Sequence, residues 1–154
     1  MEALDRVCQT VEGLKYYGNL FKTRPIIEGA YAHTVYKPDL LDELLEKTGI
    51  EDVTIDVFNY LNIDNYQDAD AIFDLCMDLF KDKIRIFHVK DFYVEEGRLV
   101  QCGIGKGIMN WKYFMKRIMK ECPDAVLVFE GVVGKDIETS IEYIRRLENE
   151  YTDQ

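Results

Sequence analysis

The stretch VTIDVF at residues 53–58 decides the fold class of this chain. Its β-branched and aromatic residues are typical of a buried β-strand, but a carboxylate, Asp56, interrupts the apolar run. Removing a carboxylate from water costs several kcal/mol unless the group is paired or its pKa shifts. We therefore expect Asp56 to lie late in a strand, beside other polar groups.

Three further stretches have the same form, and each carries a polar residue near its end. They are PIIE at residues 25–28, IRIFHV at 84–89 and AVLVFE at 125–130. Amphipathic helices are expected at about residues 2–17, from Pro38 to near Gly49, from an Asp68 cap through Phe80, from an Asn110 cap to Pro123 and at about 136–150. A longer loop, rich in glycine, is expected between the third strand and Asn110.

The regular alternation of helix and strand predicts an α/β fold with a parallel sheet. Four βα units follow an initial helix, and neither a linker nor a low-complexity segment divides residues 1–154. The chain is therefore predicted to form a single domain. Right-handed crossovers bring the carboxyl ends of parallel strands to one rim of the sheet.

This rim is where the sequence predicts a metal site. The four strand-end residues are Glu28, Asp56, His88 and Glu130. Three carboxylates and one imidazole suit Mn²⁺, Mg²⁺ or a similar divalent cation. A ligand set without a thiolate does not favour zinc. The alternative for each residue taken singly is a polar side chain that marks where a strand meets water. The agreement of all four positions favours the metal site.

Composition excludes some classes of function. The formal net charge of −10 argues against nucleic acid as the main partner, because clustered lysine and arginine hold phosphate backbones. No apolar run approaches the ~20 residues of a membrane span, so no membrane association is expected. The charged start of the chain lacks the pattern of a secretory signal, and we expect a cytoplasmic protein. Four cysteines without a CxxC pair argue against structural zinc.

In their order and spacing, five segments resemble the C-terminal half of the xylose-isomerase-like barrel superfamily. This superfamily of sugar phosphate isomerases and epimerases includes ketose 3-epimerases and inosose-processing enzymes. The segments are IEG at residues 27–29, IDVFN at 55–59, HVKD at 88–91, GIGKGIMNW at 103–111 and FEG at 129–131. They extend over nearly the whole chain.

The resemblance implies a divalent-metal-dependent sugar isomerase or epimerase. The four strand-end residues would bind the metal, and Glu28 and Glu130 would also exchange protons with opposite faces of a sugar carbon through a metal-stabilised enediolate. The substrate would be a sugar or sugar phosphate. Asn59, Lys90 and Asp91 are candidate substrate contacts, and Asp91 could instead cap a loop. Lys106 belongs to a glycine loop that either holds a phosphate or is simply flexible.

The chain departs from the family pattern in length and in its histidines. A (β/α)8 barrel needs roughly 250 residues and eight strands, whereas four strands are predicted here. A half-barrel leaves strand edges and an inner face open, so a homodimer or a complementing half-barrel is expected. Asn59 stands where the family often has histidine. With two histidines in all, an abasic-site endonuclease is disfavoured.

Two further interpretations stay open. The first is a truncated, catalytically inactive half-barrel that binds metal or associates with a partner. The second is a flavodoxin-like open sheet, which fits the alternation but would carry a phosphate-loop fingerprint after its first strand. No such fingerprint follows residues 25–28.

Overall fold

The computed structural model describes residues 3–152 of the chain. Within these residues, helices and strands alternate as the sequence predicts, and one additional hairpin is present. The helices are α1 (Ala3–Phe21), α2 (Pro38–Thr48), α3 (Ala69–Phe80), α4 (Trp111–Glu121) and α5 (Lys135–Thr152). The strands are β1 (Ile27–Glu28), β2 (Val53–Ile55), β3 (Ile84–Val89), β4 (Asp91–Glu95), β5 (Arg98–Cys102) and β6 (Val126–Phe129).

Four of the strands form one parallel sheet in the order β1-β2-β3-β6. The prediction of an α/β fold with a four-stranded parallel sheet is confirmed. His88 pairs in register with Val128, and Glu28 pairs with Thr54. Since all four strands run in the same direction, their carboxyl ends share one rim.

The core lies between one face of this sheet and the helices. Phe87 and Val89 of β3 are buried, whereas Ile86 and His88, which alternate with them, are only partly buried. On β6, Val126 and Val128 are 58% and 38% exposed. The second face of the sheet is therefore open near β6.

Three helix ends follow from local sequence. Pro38 stands in the first turn of α2, where its missing N–H costs nothing. Gly49 ends the helix at φ 63°, a left-handed conformation that glycine adopts without strain, and its N–H bonds to Leu45 O. Asn110 caps α4 by accepting a hydrogen bond from the Tyr113 N–H.

Asp68 does not cap α3 as predicted. It occupies the N-cap position, but its side chain makes no capping hydrogen bond. A turn of 3-10 helix at Tyr66–Asp68 leads directly into the first turn of α3 instead. The helix therefore begins from a preceding turn and needs no separate side-chain cap.

Two boundaries also differ from the prediction. Helix α1 continues past Gly18 to Phe21 and ends where Lys22 adopts a φ of 55°. The chain then folds back on Gly18: the Thr23 N–H bonds to Gly18 O, and a Cβ on Gly18 would lie 2.8 Å from Thr23 O. Strand β2 ends at Ile55, and the chain turns so that the Asn59 N–H reaches both the backbone and the side chain of Asp56. This turn brings Asn59 back toward the sheet rim.

The expected glycine-rich loop after β3 contains an antiparallel hairpin of β4 and β5 that the sequence analysis missed. Its turn is formed by Glu96 and Gly97, with φ values of 48° and 72°. Positive φ at both central residues is the two-residue turn that matches strand twist. The glycine at residue 97, between two runs rich in β-formers, was the available signal.

Candidate metal centre

Four side chains meet at the carboxyl rim of the parallel sheet: Glu28, Asp56, His88 and Glu130. One ligand atom from each lies within 4.8 Å of all the others. His88 Nδ1 is 3.3 Å from Glu28 Oε1, 3.6 Å from Glu130 Oε2 and 4.0 Å from Asp56 Oδ2. An octahedral cation with bonds of ~2.1 Å would hold its ligands roughly 3.0 to 4.2 Å apart. The observed separations are close to this range.

The strands explain why these residues meet. Glu28 ends β1, and His88 lies near the end of β3. Asp56 and Glu130 directly follow β2 and β6. Residues far apart in sequence are thus delivered to one point by four adjacent parallel strands. Asp56 is fully buried at the base of the cluster, while Glu28 and Glu130, at the two edge strands, are partly exposed.

Two buried atoms of the cluster lack a hydrogen-bond partner within the described residues: Asp56 Oδ2 and His88 Nδ1. Lys90 Nζ approaches Asp56 Oδ2 to 2.6 Å as an ion pair, but not in hydrogen-bond geometry. Buried polar atoms are rarely left unsatisfied. A divalent cation would give His88 Nδ1 a partner and would bind Asp56 Oδ2, which otherwise has only its ion pair with Lys90. The residues present therefore fit such an ion, and their oxygen-rich donor set suits Mn²⁺ or Mg²⁺.

Burial and Lys90 set the charges of the cluster. Burial raises the pKa of Asp56 to about 7, although the adjacent Lys90 ammonium opposes this rise. The hydrogen bond from Lys90 lowers the pKa of Glu130 below its usual value. Burial alone would lower the pKa of Lys90, but the carboxylates of Asp56 and Glu130 outweigh it and raise that pKa.

Asn59 belongs to the same cluster. Its Nδ2 donates a hydrogen bond of 2.8 Å to Glu28 Oε1, and its Oδ1 lies 3.5 Å from Lys90 Nζ. The amide therefore orients Glu28 and connects it to Lys90. A contact between Asn59 and substrate stays a prediction.

Asp91 lies apart from the cluster and anchors the glycine loop. Its side chain is completely buried, and its oxygens accept hydrogen bonds from the backbone N–H groups of Phe92, Met109 and Gly105. Of the two roles that the sequence suggested, loop capping is the one that these bonds show. Burial raises the pKa of Asp91, and the backbone donors oppose that rise.

The side chain of Lys106 contacts the last helix. Its Nζ forms a 2.6 Å ion pair with Asp136 in the first turn of α5. This pair joins the glycine loop to the last helix. A role for Lys106 in phosphate binding stays a prediction.

Four contacts around the cluster were not predicted from the sequence. Lys90 was expected to face substrate, but its ammonium contacts both Asp56 and Glu130. Lys90 lies two positions after His88, so alternation along the strand could have placed both on one face. Gln101 Nε2 donates to Glu130 O at 2.7 Å, and Trp111 Nε1 donates to Lys90 O at 3.0 Å. The contact of Gln101 depends on the unpredicted hairpin.

Comparison with models of protein families and with curated proteins finds no match. Within residues 3–152, no helix combines the length and apolar character that crossing a membrane requires.

Proposed function

We propose that this chain is the metal-binding half of a (β/α)8 barrel of the xylose-isomerase-like type. The proposed activity is the divalent-metal-dependent isomerisation or epimerisation of a sugar or sugar phosphate. The observation that carries this proposal is the convergence of Glu28, Asp56, His88 and Glu130 within 4.8 Å at the carboxyl rim of a parallel sheet. Barrel enzymes have their active sites at this rim.

The two partly exposed glutamates are the proposed proton carriers. A divalent cation bound between them would polarise adjacent sugar oxygens and acidify the C–H group beside a carbonyl. Glu28 and Glu130 approach His88 from opposite edge strands, which supports proton transfer at two sides of one carbon. The hydrogen bond from Lys90 lowers the pKa of Glu130 and so favours its ionised form, which is the form that binds a cation and accepts a proton.

The open face of the sheet supports a partner that completes the barrel. Val126 and Val128 lie on the exposed face of β6, and β1 and β6 are the two edges of the four-stranded sheet. Two copies would place ten helices around eight strands, whereas a (β/α)8 barrel has eight helices. The excess arises because α5 of one copy and α1 of the other would both lie at each junction between the copies. A complementing half-barrel with helices only between its strands avoids this conflict. We therefore propose it ahead of the homodimer.

Metal binding is the first test. Titration of the metal-stripped protein with Mn²⁺, followed by calorimetry, should show one site per chain, and Mn²⁺ should raise the Tm while EDTA reverses the rise. Glu130→Gln should weaken binding by about tenfold or more, because it removes a charged ligand. Glu95→Gln, on the exposed hairpin, is the control and should bind as the parent does. Equal affinity in both variants would refute the proposed ligand set.

Turnover is the second test. Ketoses and their phosphates incubated in D₂O with the Mn²⁺-loaded protein should exchange the hydrogen on the carbon beside the carbonyl, as read by NMR. Glu130→Gln should abolish this exchange. Metal binding without exchange for any sugar, with or without a complementing half-barrel, would instead support the inactive half-barrel.

A further inference from the structure

Lys90 is the buried cation of the rim cluster. The residue is only 4% exposed. Its Nζ lies 2.6 Å from Asp56 Oδ2, contacts Glu130 Oε2 and lies 3.5 Å from Asn59 Oδ1. A hydrogen bond from the Trp111 indole to Lys90 O holds its backbone in place. This ammonium is therefore built into the site.

The oxygens that Lys90 contacts are those that a metal would use. Asp56 Oδ2 and Glu130 Oε2 lie 4.0 and 3.6 Å from His88 Nδ1, beside Glu28 Oε1 at 3.3 Å. An ammonium group and a divalent cation cannot share these two oxygens at bonding distance without strong repulsion. When a metal binds, the Lys90 ammonium has to give up at least one of these contacts.

The charges of the cluster favour such an exchange. Three carboxyl groups face one ammonium, so negative charge is in excess at the cluster, and a divalent cation would reduce this excess. Before the metal binds, the ammonium compensates part of the buried negative charge, which would otherwise be strongly destabilising. The Phe58 ring, 5.4 Å from Nζ, and the Asn59 carbonyl are contacts that remain for a displaced ammonium.

We propose that Lys90 is an internal competitor of the divalent cation: its ammonium occupies the ligand oxygens of the metal-free site and sets the affinity for metal. The inference rests on the proposed metal centre. Lys90 thereby keeps the site folded without metal, at the expense of weaker metal binding.

Replacement of Lys90 by an apolar side chain of similar length tests the competition. Lys90→Met should bind Mn²⁺ about tenfold more tightly or better, because the repelling charge is gone. Its metal-free form should have a lower Tm than the parent, and Mn²⁺ should restore it. Lys83→Met is the matched control: it removes the same charge just before β3, at the opposite end from the cluster. Its affinity for Mn²⁺ should equal that of the parent.

A second measurement covers the case in which Lys90→Met does not fold. Amine acetylation of the parent protein, quantified by peptide mass spectrometry, should label Lys90 several-fold faster with Mn²⁺ than with EDTA, because the metal releases the ammonium. Labelling of Lys83 should not change. Lys90→Arg, which keeps the positive charge, should not bind Mn²⁺ more tightly than the parent.

The outcomes separate this inference from the proposed function. Mn²⁺ binding to the parent with equal or weaker binding to Lys90→Met would overturn the competition and leave the metal centre intact. Unchanged labelling of Lys90 on metal binding would overturn it in the same way. Failure of both parent and variant to bind Mn²⁺ would overturn the metal centre, and the inference with it.

Discussion

Asn59 illustrates, at the scale of one residue, how a candidate ligand is held in place. Its Nδ2 bonds to Glu28 Oε1, and its backbone N–H bonds to Asp56 Oδ1. Partners of this kind restrict the rotamers of metal ligands and tune their basicity. Asn59 thus forms hydrogen bonds with two candidate ligands, Glu28 and Asp56.

Asn59→Ala should therefore weaken Mn²⁺ binding by about tenfold with little loss of fold stability. Calorimetric titration gives the affinity, and thermal unfolding in EDTA gives the stability. Asn65→Ala removes a comparable bond, from Nδ2 to Tyr60 O at 3.1 Å, and should not change the affinity. Equal affinities for the two variants would show that Asn59 does not position Glu28.

Gly107 is required for steric reasons alone. A Cβ at this position would lie 2.2 Å from both Asp91 Oδ1 and Phe92 O. Gly107→Ala should lower the free energy of unfolding by about 2 kcal/mol or more, because it breaks the loop that Asp91 anchors. Gly13→Ala, in α1 with nothing within 4 Å of the new Cβ, should instead raise it by about 0.5–1 kcal/mol. Urea denaturation measures the free energy of unfolding of each variant. Equal changes for Gly107→Ala and Gly13→Ala would contradict the steric argument.

At the scale of elements, Arg117 joins α4 to α3. Its guanidinium bonds to Glu121 in its own helix and to Asp74 and Asp78 of α3. The hydrogen bond from Arg117 is the largest influence on Glu121 and lowers its pKa below 4.5. A lowered pKa in the folded state stabilises the protein above the unfolded pKa, and this stabilisation is lost as the pH falls through the folded value.

Arg117→Gln should reduce the free energy of unfolding by about 1–2 kcal/mol at pH 7, after allowance for solvent screening. The difference from the parent should shrink as the pH falls below the folded pKa of Glu121, because the protonated carboxyl loses its ion pair. Urea denaturation at a series of pH values from 7 downward measures the free energy of unfolding of both proteins. Arg98→Gln, exposed on β5, is the control, and a difference that stays constant over the whole series would contradict the ionic origin.

At the scale of the whole molecule, one face of the sheet is open near β6. Val126 and Val128 continue the row of side chains that ends in Glu130, so a complementing half-barrel would cover the valines and enclose the cluster together. The interior of such a barrel is filled by layers of side chains from all its strands. Binding of the complementing half would then complete the barrel core and the site at the same time.

Sedimentation velocity of the chain by itself should show an 18.0 kDa monomer. In a homodimer, two helices instead of one would lie at each junction between the copies. A dimer that Val128→Lys abolishes would support the homodimer instead. Val94→Lys is the matched control. Val94 and Val128 are 39% and 38% exposed, but Val94 lies on the hairpin. A dimer sensitive to neither variant would place the interface elsewhere.

Local patterns were sufficient for the alternation of helices and strands and for the four ligand candidates. Burial periodicity, Pro38, Gly49 and Asn110 act within a few residues, so they can be read directly from the chain. Parallel pairing then follows from the crossover helices, which is why strand-end residues could be expected at one rim. The hairpin was missed because its pairing was hidden in a stretch that looks like a glycine-rich loop.

Contacts across the fold were decided only in three dimensions. Nothing local shows that Lys90 turns its ammonium to Asp56 and Glu130, that Asp91 binds the backbone of a loop 14 to 18 residues later, or that Lys106 pairs with α5. Sequence patterns report which residues are buried and on which face, because that depends on neighbours along the chain. Which charged group satisfies which other group depends on distances between elements, and these exist only once the sheet and helices have packed.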